Sequence, residues 1–373
     1  MRGARPPRPP ATTAVFAVAF IVLGLPDFAH GVAWPSLRRE LGRPLADLGT
    51  YLVVAGVGYL AVALSAGRLA RRWAVEGLVL RATLSSAIGL GLVAVAPAWP
   101  FVLVGGLLAG SGAGGMDTGF NAAVALRGDG RLMGLLHAGY GVGAAIGPVV
   151  VGASLVAGGG WRWPYAVFGL ASLLLVAPLW RRSTGDAPAQ EPMGRSVRGL
   201  LLPCVAFVVY VALEVAVGQW AFTFLTEAKG LGDLAGAVWV AVYWVGLTAG
   251  RLWLGLRGHA RPAPAVLAAS ATGATGGTLL LWLGGPVGPV GLLVVGLALS
   301  TVFPLLMLLT PARVGPERAA AAIGWQTASA CLGGAAGPAA VGVVLDRAGV
   351  QAYGPAMVVL ALGLAAVIAA LRP

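Results

Sequence analysis

Three carboxylates in this sequence stand far from any polar surroundings. Asp27, Asp117 and Glu214 each lie well inside a long apolar run, whereas the other ten of the thirteen acidic residues fall between such runs or at their ends. An ionised carboxylate at mid-membrane depth costs at least about 2.5–3.5 kcal/mol on insertion scales. Groups that persist at that cost are paired, protonated or facing a water-filled cavity. Asp27 shares one helix face with Gly24, Gly31 and Trp34. Small residues with an acid and an indole suit a cavity wall, since Trp stacks on a sugar ring and the acid accepts hydroxyl protons. Asp117 lies on a similar stripe with Gly110, Gly114 and Asn121. Glu214 shares a face with Tyr210 and Gly218, with Gln219 and Trp220 beside it. Carboxylates so placed can take up and release protons as substrate and conformation change. The plainer alternative stays open: each acid could be a hydrogen-bonding group between helices, and Glu214 could pair with a nearby polar side chain.

Fewer polar groups accompany them. Tyr140 and His137 open the fifth apolar run; Tyr140 is a candidate cavity residue and His137 a helix-end hydrogen-bonding group. Gln326, beside Trp325, is a candidate substrate donor or acceptor, and Ser300-Thr301 before Pro304 reads as helix-kink chemistry. No metal-ligand spacing, no Gly-x4-Gly-Lys-Ser/Thr phosphate loop and no catalytic constellation of the intramembrane-enzyme kind occurs. The sequence therefore predicts neither an enzyme nor a cofactor, and no metal site. Cys204 and Cys331 both lie inside apolar runs and read as small packing residues.

The elements that must position these groups are membrane helices. The 373 residues are 58% hydrophobic and 10% charged, against about 25% charged in soluble domains. Twelve stretches are long enough to span a bilayer: 12–34, 48–69, 78–96, 101–125, 132–157, 163–180, 200–226, 236–256, 265–283, 287–309, 319–345 and 353–371. The first exceeds the apolar core of a cleaved signal peptide and carries Asp27 and His30, so it is taken as a permanent helix. A net charge of +12 does not point to nucleic acid here, because the arginines sit in short loops between apolar runs. With the N-terminus inside, 19 of the 25 Lys and Arg residues fall on the cytoplasmic side, so both termini are expected there.

Residues 181–198 form the one long hydrophilic segment and divide the chain into 1–180, a linker 181–198, and 199–373, six spans on each side. The halves repeat. Gly143, Gly147-Pro148 and Gly152 recur 190 residues later as Gly333, Gly337-Pro338 and Gly342. Gly67-Arg68-Leu69 recurs as Gly250-Arg251-Leu252, and Asp27 with Gly31 recurs as Glu214 with Gly218. Two similar bundles rocking about a central site need such a repeat. Asp117 has no acidic counterpart, since its equivalent is Pro304, which makes it the leading candidate for a coupling proton. Arg68 and Arg251, at matching helix ends, are either gate residues that pair between helices or simple positive-inside anchors.

These residues resemble the major facilitator superfamily. Residues 67–72 (GRLARR) look like its Gly-x-Leu-Ala-Asp-Arg signature, departing from it at Arg71, which stands where Asp is expected. Within the superfamily the chain is most similar to the fucose-permease-like group, on residues 27–35 (DFAHGVAWP), 115–121 (GMDTGFN), 136–148 (LHAGYGVGAAIGP), 210–220 (YVALEVAVGQW) and 243–251 (YWVGLTAGR). The resemblance implies an all-α fold of twelve helices in two six-helix bundles in the cell membrane. It implies substrate recognition and proton coupling for Asp27 and Asp117, with Glu214 as a third candidate. The substrate set is expected to be Asp27, Trp34, Asn121, Tyr140, Glu214, Gln219, Trp220 and Gln326, and the gating set Gly67, Arg68, Arg72, Gly250 and Arg251. The Gly143–Gly152 pattern resembles a motif associated with antiporters, but its copy in the eleventh span reads as general close packing. The expected function is proton-coupled import of a small polar solute such as a monosaccharide, by a monomer whose partners are solute, protons and lipid. The alternative is proton-driven efflux of drugs or metabolites.

Overall fold

A computed structural model describes residues 10–125, 130–180, 201–257, 263–310, 313 and 316–371. It is all-helical, with twelve helices long and apolar enough to cross a membrane. They are α1 (Ala17–Glu40), α2 (Asp47–Ala66), α3 (Glu76–Ala94), α4 (Trp99–Phe120), α5 (Ala138–Val156), α6 (Arg162–Leu179), α7 (Leu201–Ala228), α8 (Asp233–Leu254), α9 (Pro264–Leu283), α10 (Val290–Leu308), α11 (Trp325–Ala348) and α12 (Val350–Ala370). The proposed linker, 181–198, lies outside the described residues.

The helical hydrogen-bond pattern runs unbroken from Asp47 to Ala94. A straight helix of that length would hold Tyr51 and Val93 more than about 60 Å apart. Both instead reach the same part of α4, Tyr51 against Gly106 and Val93 against Gly105. The chain therefore folds back between α2 and α3, through the stretch that carries Arg68 and Arg72. Two spans are interrupted. In α1 the helix ends at Gly24 and resumes at Ala29, around Pro26, which has no N–H to donate. In α10 it breaks at Ser300-Thr301, just before Pro304.

The contacts repeat with a shift of six helices. Helix α1 packs on α5 and α6, as α7 packs on α11 and α12; α3 packs on α6, as α9 packs on α12. Helices α2 and α4 meet at Ala55 and Gly110, α8 and α10 at Tyr243 and Gly296. The repeated Gly-Pro motif does the same work twice. Gly143 and Gly147 let α5 lie on the main chain of Ile21 and Leu25 in α1. Gly333 and Gly337 let α11 lie on Val208 and Ala212 in α7. A side chain at any of these would overlap the neighbouring backbone, which is the use of small residues where apolar burial gives no net drive. The third glycine differs between the copies: Gly152 meets Ala237 of α8 in the other half, whereas Gly342 sits between Trp220 of its own half and Ala46 at the foot of α2.

The two sets of six meet along α5 with α8, α2 with α11, and α1 with α7. Three side-chain hydrogen-bonding contacts between them lie from the α1 break to the α1–α2 turn. Arg38 Nη2 reaches both oxygens of Glu227 at 2.9 Å, Asp346 accepts from the Leu45 N–H at 3.0 Å, and Gln219 Nε2 donates to the Asp27 carbonyl at 2.7 Å. The molecule is closed at the end that carries the α1–α2 turn.

Candidate functional site

The break in α1 puts Asp27 in a non-helical turn at the meeting plane of the halves. Its carboxylate accepts the hydroxyl of Tyr140 from α5. Tyr59 of α2 donates to Asp117 Oδ2 of α4 at 2.5 Å. On the other side, Arg251 of α8 donates to Glu214 Oε1 of α7 at 2.8 Å and to the Tyr210 hydroxyl at 3.0 Å. Tyr243 donates to the main-chain carbonyl of Glu214 at 2.9 Å. Tyr140 lies within electrostatic reach of Asp27, Asp117 and Glu214 together. Tyr140 contacts Asp27 directly, while Asp117 is held by Tyr59 and Glu214 by Arg251. Among the described residues, Arg251 is the cation that meets them, and it neutralises Glu214.

The structure sorts the expected site residues. Asp27, Asp117, Tyr140 and Glu214 come together. Gln219 joins them through the Asp27 carbonyl. Gln326 is buried against Thr310, whose hydroxyl stands 3.0 Å from its Oε1, inside the second half. The two tryptophans are buried in this state. Trp34 is 2% exposed and spends its indole N–H on the Leu45 carbonyl at 3.0 Å. Trp220 is 0% exposed and donates to the Pro338 carbonyl at 2.9 Å. In this state neither ring is open to a solute; tight packing at the closed end takes both. The side chain of Asn121, Gly67 and the side chains of His137 and Arg71 lie outside the described residues.

The gating set also divides. Arg68 and Arg72 are exposed at the α2–α3 turn, with no partner among the described residues. Arg251, the repeat equivalent of Arg68, turns inward to Glu214 instead. The repeat places Asp27 opposite Glu214, but Asp27 sits in the unwound turn and is held by Tyr140, so Arg68 has no equivalent acid to reach. Gly250 packs on Ser300 at the α10 break, close enough that a Cβ would overlap the hydroxyl.

Sequence reasoning passed over a second cluster. His30, one turn beyond Asp27, has Nδ1 at 2.6 Å from the Tyr165 hydroxyl and Nε2 at 3.2 Å from that of Tyr51. The signal available was tyrosine itself. All seven tyrosines of the chain lie within spans, and each has a bonded hydroxyl: with His30 for two, Asp117, Asp27, Arg251, and main-chain carbonyls for Tyr243 and Tyr353. A phenol in a dry setting needs a partner, so the tyrosines mark where the polar groups are.

Twelve spanning helices in two similar sets, with buried carboxylates and their partners where the sets meet, have the architecture of a membrane transport protein. The chain belongs to the Major Facilitator Superfamily, whose profile matches residues 16–338. Among solved structures it is similar to the nucleoside transporter NupG, with a TM-score of 0.76 and 15% identity over 96% of this chain and 99% of that one. It is also similar to a bacterial homologue of the human lysosomal transporter Spinster, in an inward-facing and occupied conformation, with a TM-score of 0.72 and 13% identity over 98% and 96%. These likenesses establish the fold. Curated relatives include Bypass of stop codon protein 6 of Saccharomyces cerevisiae (26% identical over 64% of this chain and 55% of that protein). An uncharacterized MFS-type transporter of Yersinia pestis is 25% identical over 63% of each chain. A chloramphenicol resistance protein of Streptomyces lividans is 28% identical over 68% of each. The match thus spans a little over half to just under two thirds of the first two relatives.

Proposed function

We propose that this protein moves a small polar solute, with a monosaccharide as the type, across the cytoplasmic membrane by alternating access coupled to protons. One observation carries the reading: Asp27, in the unwound turn of α1, joins the two halves, its carboxylate accepting from Tyr140 of the first and its carbonyl from Gln219 of the second. Only groups at the plane where the halves touch change their exposure when the halves rock. Glu214 is neutralised by Arg251, which leaves Asp27 and Asp117, held by tyrosine hydroxyls, as the pair that binds protons. The charge bias of the loops supports a cytoplasmic α2–α3 end. The closed α1–α2 end is then external and the state inward-facing. The stretches similar to fucose-permease-like transporters support the sugar class.

Efflux is the second reading, favoured by the relative named for chloramphenicol resistance. Reconstitution in liposomes separates them. For import, a sugar in a solute panel drives proton uptake and Asp117→Asn abolishes that coupling. For efflux, an imposed proton gradient drives a drug-like solute the opposite way to the protons. Uphill movement that persists unchanged in both Asp27→Asn and Asp117→Asn refutes the proton assignment in either direction.

A further inference from the structure

The turn that carries Asp27 is bound to both halves at once. Its side chain belongs to the first half, through the Tyr140 hydroxyl. Its main chain belongs to the second: the Asp27 carbonyl, which the broken helix leaves without a helical donor, takes Gln219 Nε2 at 2.7 Å. The next residue, Phe28, stacks on Trp244 of α8, with ring centroids 3.4 Å apart. One turn on, Gly31 lies against the Gln219 main chain with no room for a Cβ. Two groups in this seam are unsatisfied. Gln219 Oε1 and Trp244 Nε1 are buried without hydrogen-bond partners. Parting the halves would let water reach both, so this clasp is held short of full satisfaction and can release.

We infer that Gln219 is a positioning residue: its carboxamide ties the proton state of Asp27 to closure of the α1–α2 end. An ionised Asp27 is a strong acceptor for Tyr140 and fixes the turn so that its carbonyl meets Gln219. A protonated Asp27 accepts more weakly, the turn loosens, and the Gln219 and Phe28 contacts part with it. The ionisable groups around Asp27 are His30 on its own helix, Tyr51 and Tyr59 on α2, Asp117 on α4 and Tyr140 on α5; Glu214 of α7, paired with Arg251 of α8, acts on Tyr140 from the other half. This gives Gln219 a role other than substrate ligand. It rests on the reading of Asp27 as a proton-binding group.

The test contains no solute, so failure of the solute panel does not touch it. In a background with Cys204 and Cys331 replaced by Ala, Ser36→Cys places a thiol in the cleft at the closed end, a space of about 180 Å³ between α1, α5, α7 and α8. Its labelling rate with a membrane-impermeant maleimide is measured from pH 8 to pH 5 and normalised to the unfolded protein at each pH. The expected result is a several-fold rise as pH falls, fast and pH-independent labelling in Gln219→Met, and the same in Asp27→Asn. Phe28→Leu, which leaves Gln219 in place, is expected to speed labelling at pH 8, and it carries the test if Gln219→Met does not give a folded protein. The inference is overturned if the parent shows no pH dependence, if Gln219→Met or Phe28→Leu keeps the parent profile, or if the profile survives in Asp27→Asn.

Discussion

At the scale of single residues, the site pairs each acid differently, and the pairing decides what substitution does. Glu214 and Arg251 form an ion pair in which the Glu side chain is 10% exposed and the Arg side chain 35%. Removing one partner of a fully buried pair costs about 3–5 kcal/mol, because the survivor keeps its charge without compensation. The partial exposure of the Arg251 side chain lowers that figure here. Arg251→Met is expected to lower the melting temperature in detergent clearly, and Arg251→Met with Glu214→Gln to recover most of the loss, since the second change removes the stranded charge. A double variant no more stable than the single would mean that the stranded Glu214 charge is not the source of the loss. Asp117→Asn keeps shape and loses the titrating group. Folding is expected to persist while proton movement stops, read as solute-induced pH change in liposomes. The acids were legible in the sequence because charge inside apolar runs is rare. Their partners were not, because a hydrogen bond joins residues such as Asp27 and Tyr140, 113 positions apart.

The helices obey glycine spacing more than hydrophobic pattern. Membrane helices are apolar all round, so no amphipathic face reveals which side packs; small residues do. Replacing Gly147 or Gly337 by Leu is expected to cost about 1–3 kcal/mol or more, the usual range for overpacking. Gly276→Ala, a helical position with open space around it, is expected to be neutral or slightly stabilising. Thermal unfolding monitored by monodispersity on size exclusion checks both, and equal effects at the three sites would refute the packing account. The Gly-x3-Gly-Pro repeat was readable from spacing alone, as was the α10 kink at Ser300-Thr301. The α1 break was not. Pro26 permits it, yet Pro35, Pro148, Pro178 and Pro338 sit inside continuous helices. Neighbours, not proline alone, decide where a helix opens.

Across the whole molecule, one end is held by few bonds. Arg38 with Glu227, and Asp346 with the Leu45 N–H, join the halves beyond the Gln219 contact. Arg38→Glu is expected to favour opening of this end and Glu227→Arg to do the same, while the charge swap of both restores closure. The readout is maleimide labelling of Ser36→Cys, and a swap that fails to restore would show that charge pairing is not what holds this seam. The Arg38 pair is about a quarter exposed on each side, so its effect is expected to shrink with added salt.

The sequence by itself determined the class of element, the count of twelve spans, the six-plus-six repeat and the three acids, because each follows from local composition or spacing along one chain. The tertiary structure decided which repeat positions are equivalent only in name. Asp27 and Glu214 match in sequence, yet one lies in an unwound turn bound by Tyr140 and Gln219, and the other in a continuous helix bound by Arg251. That asymmetry arises where two bundles press on each other, and pressure between distant segments leaves no trace in the spacing of either.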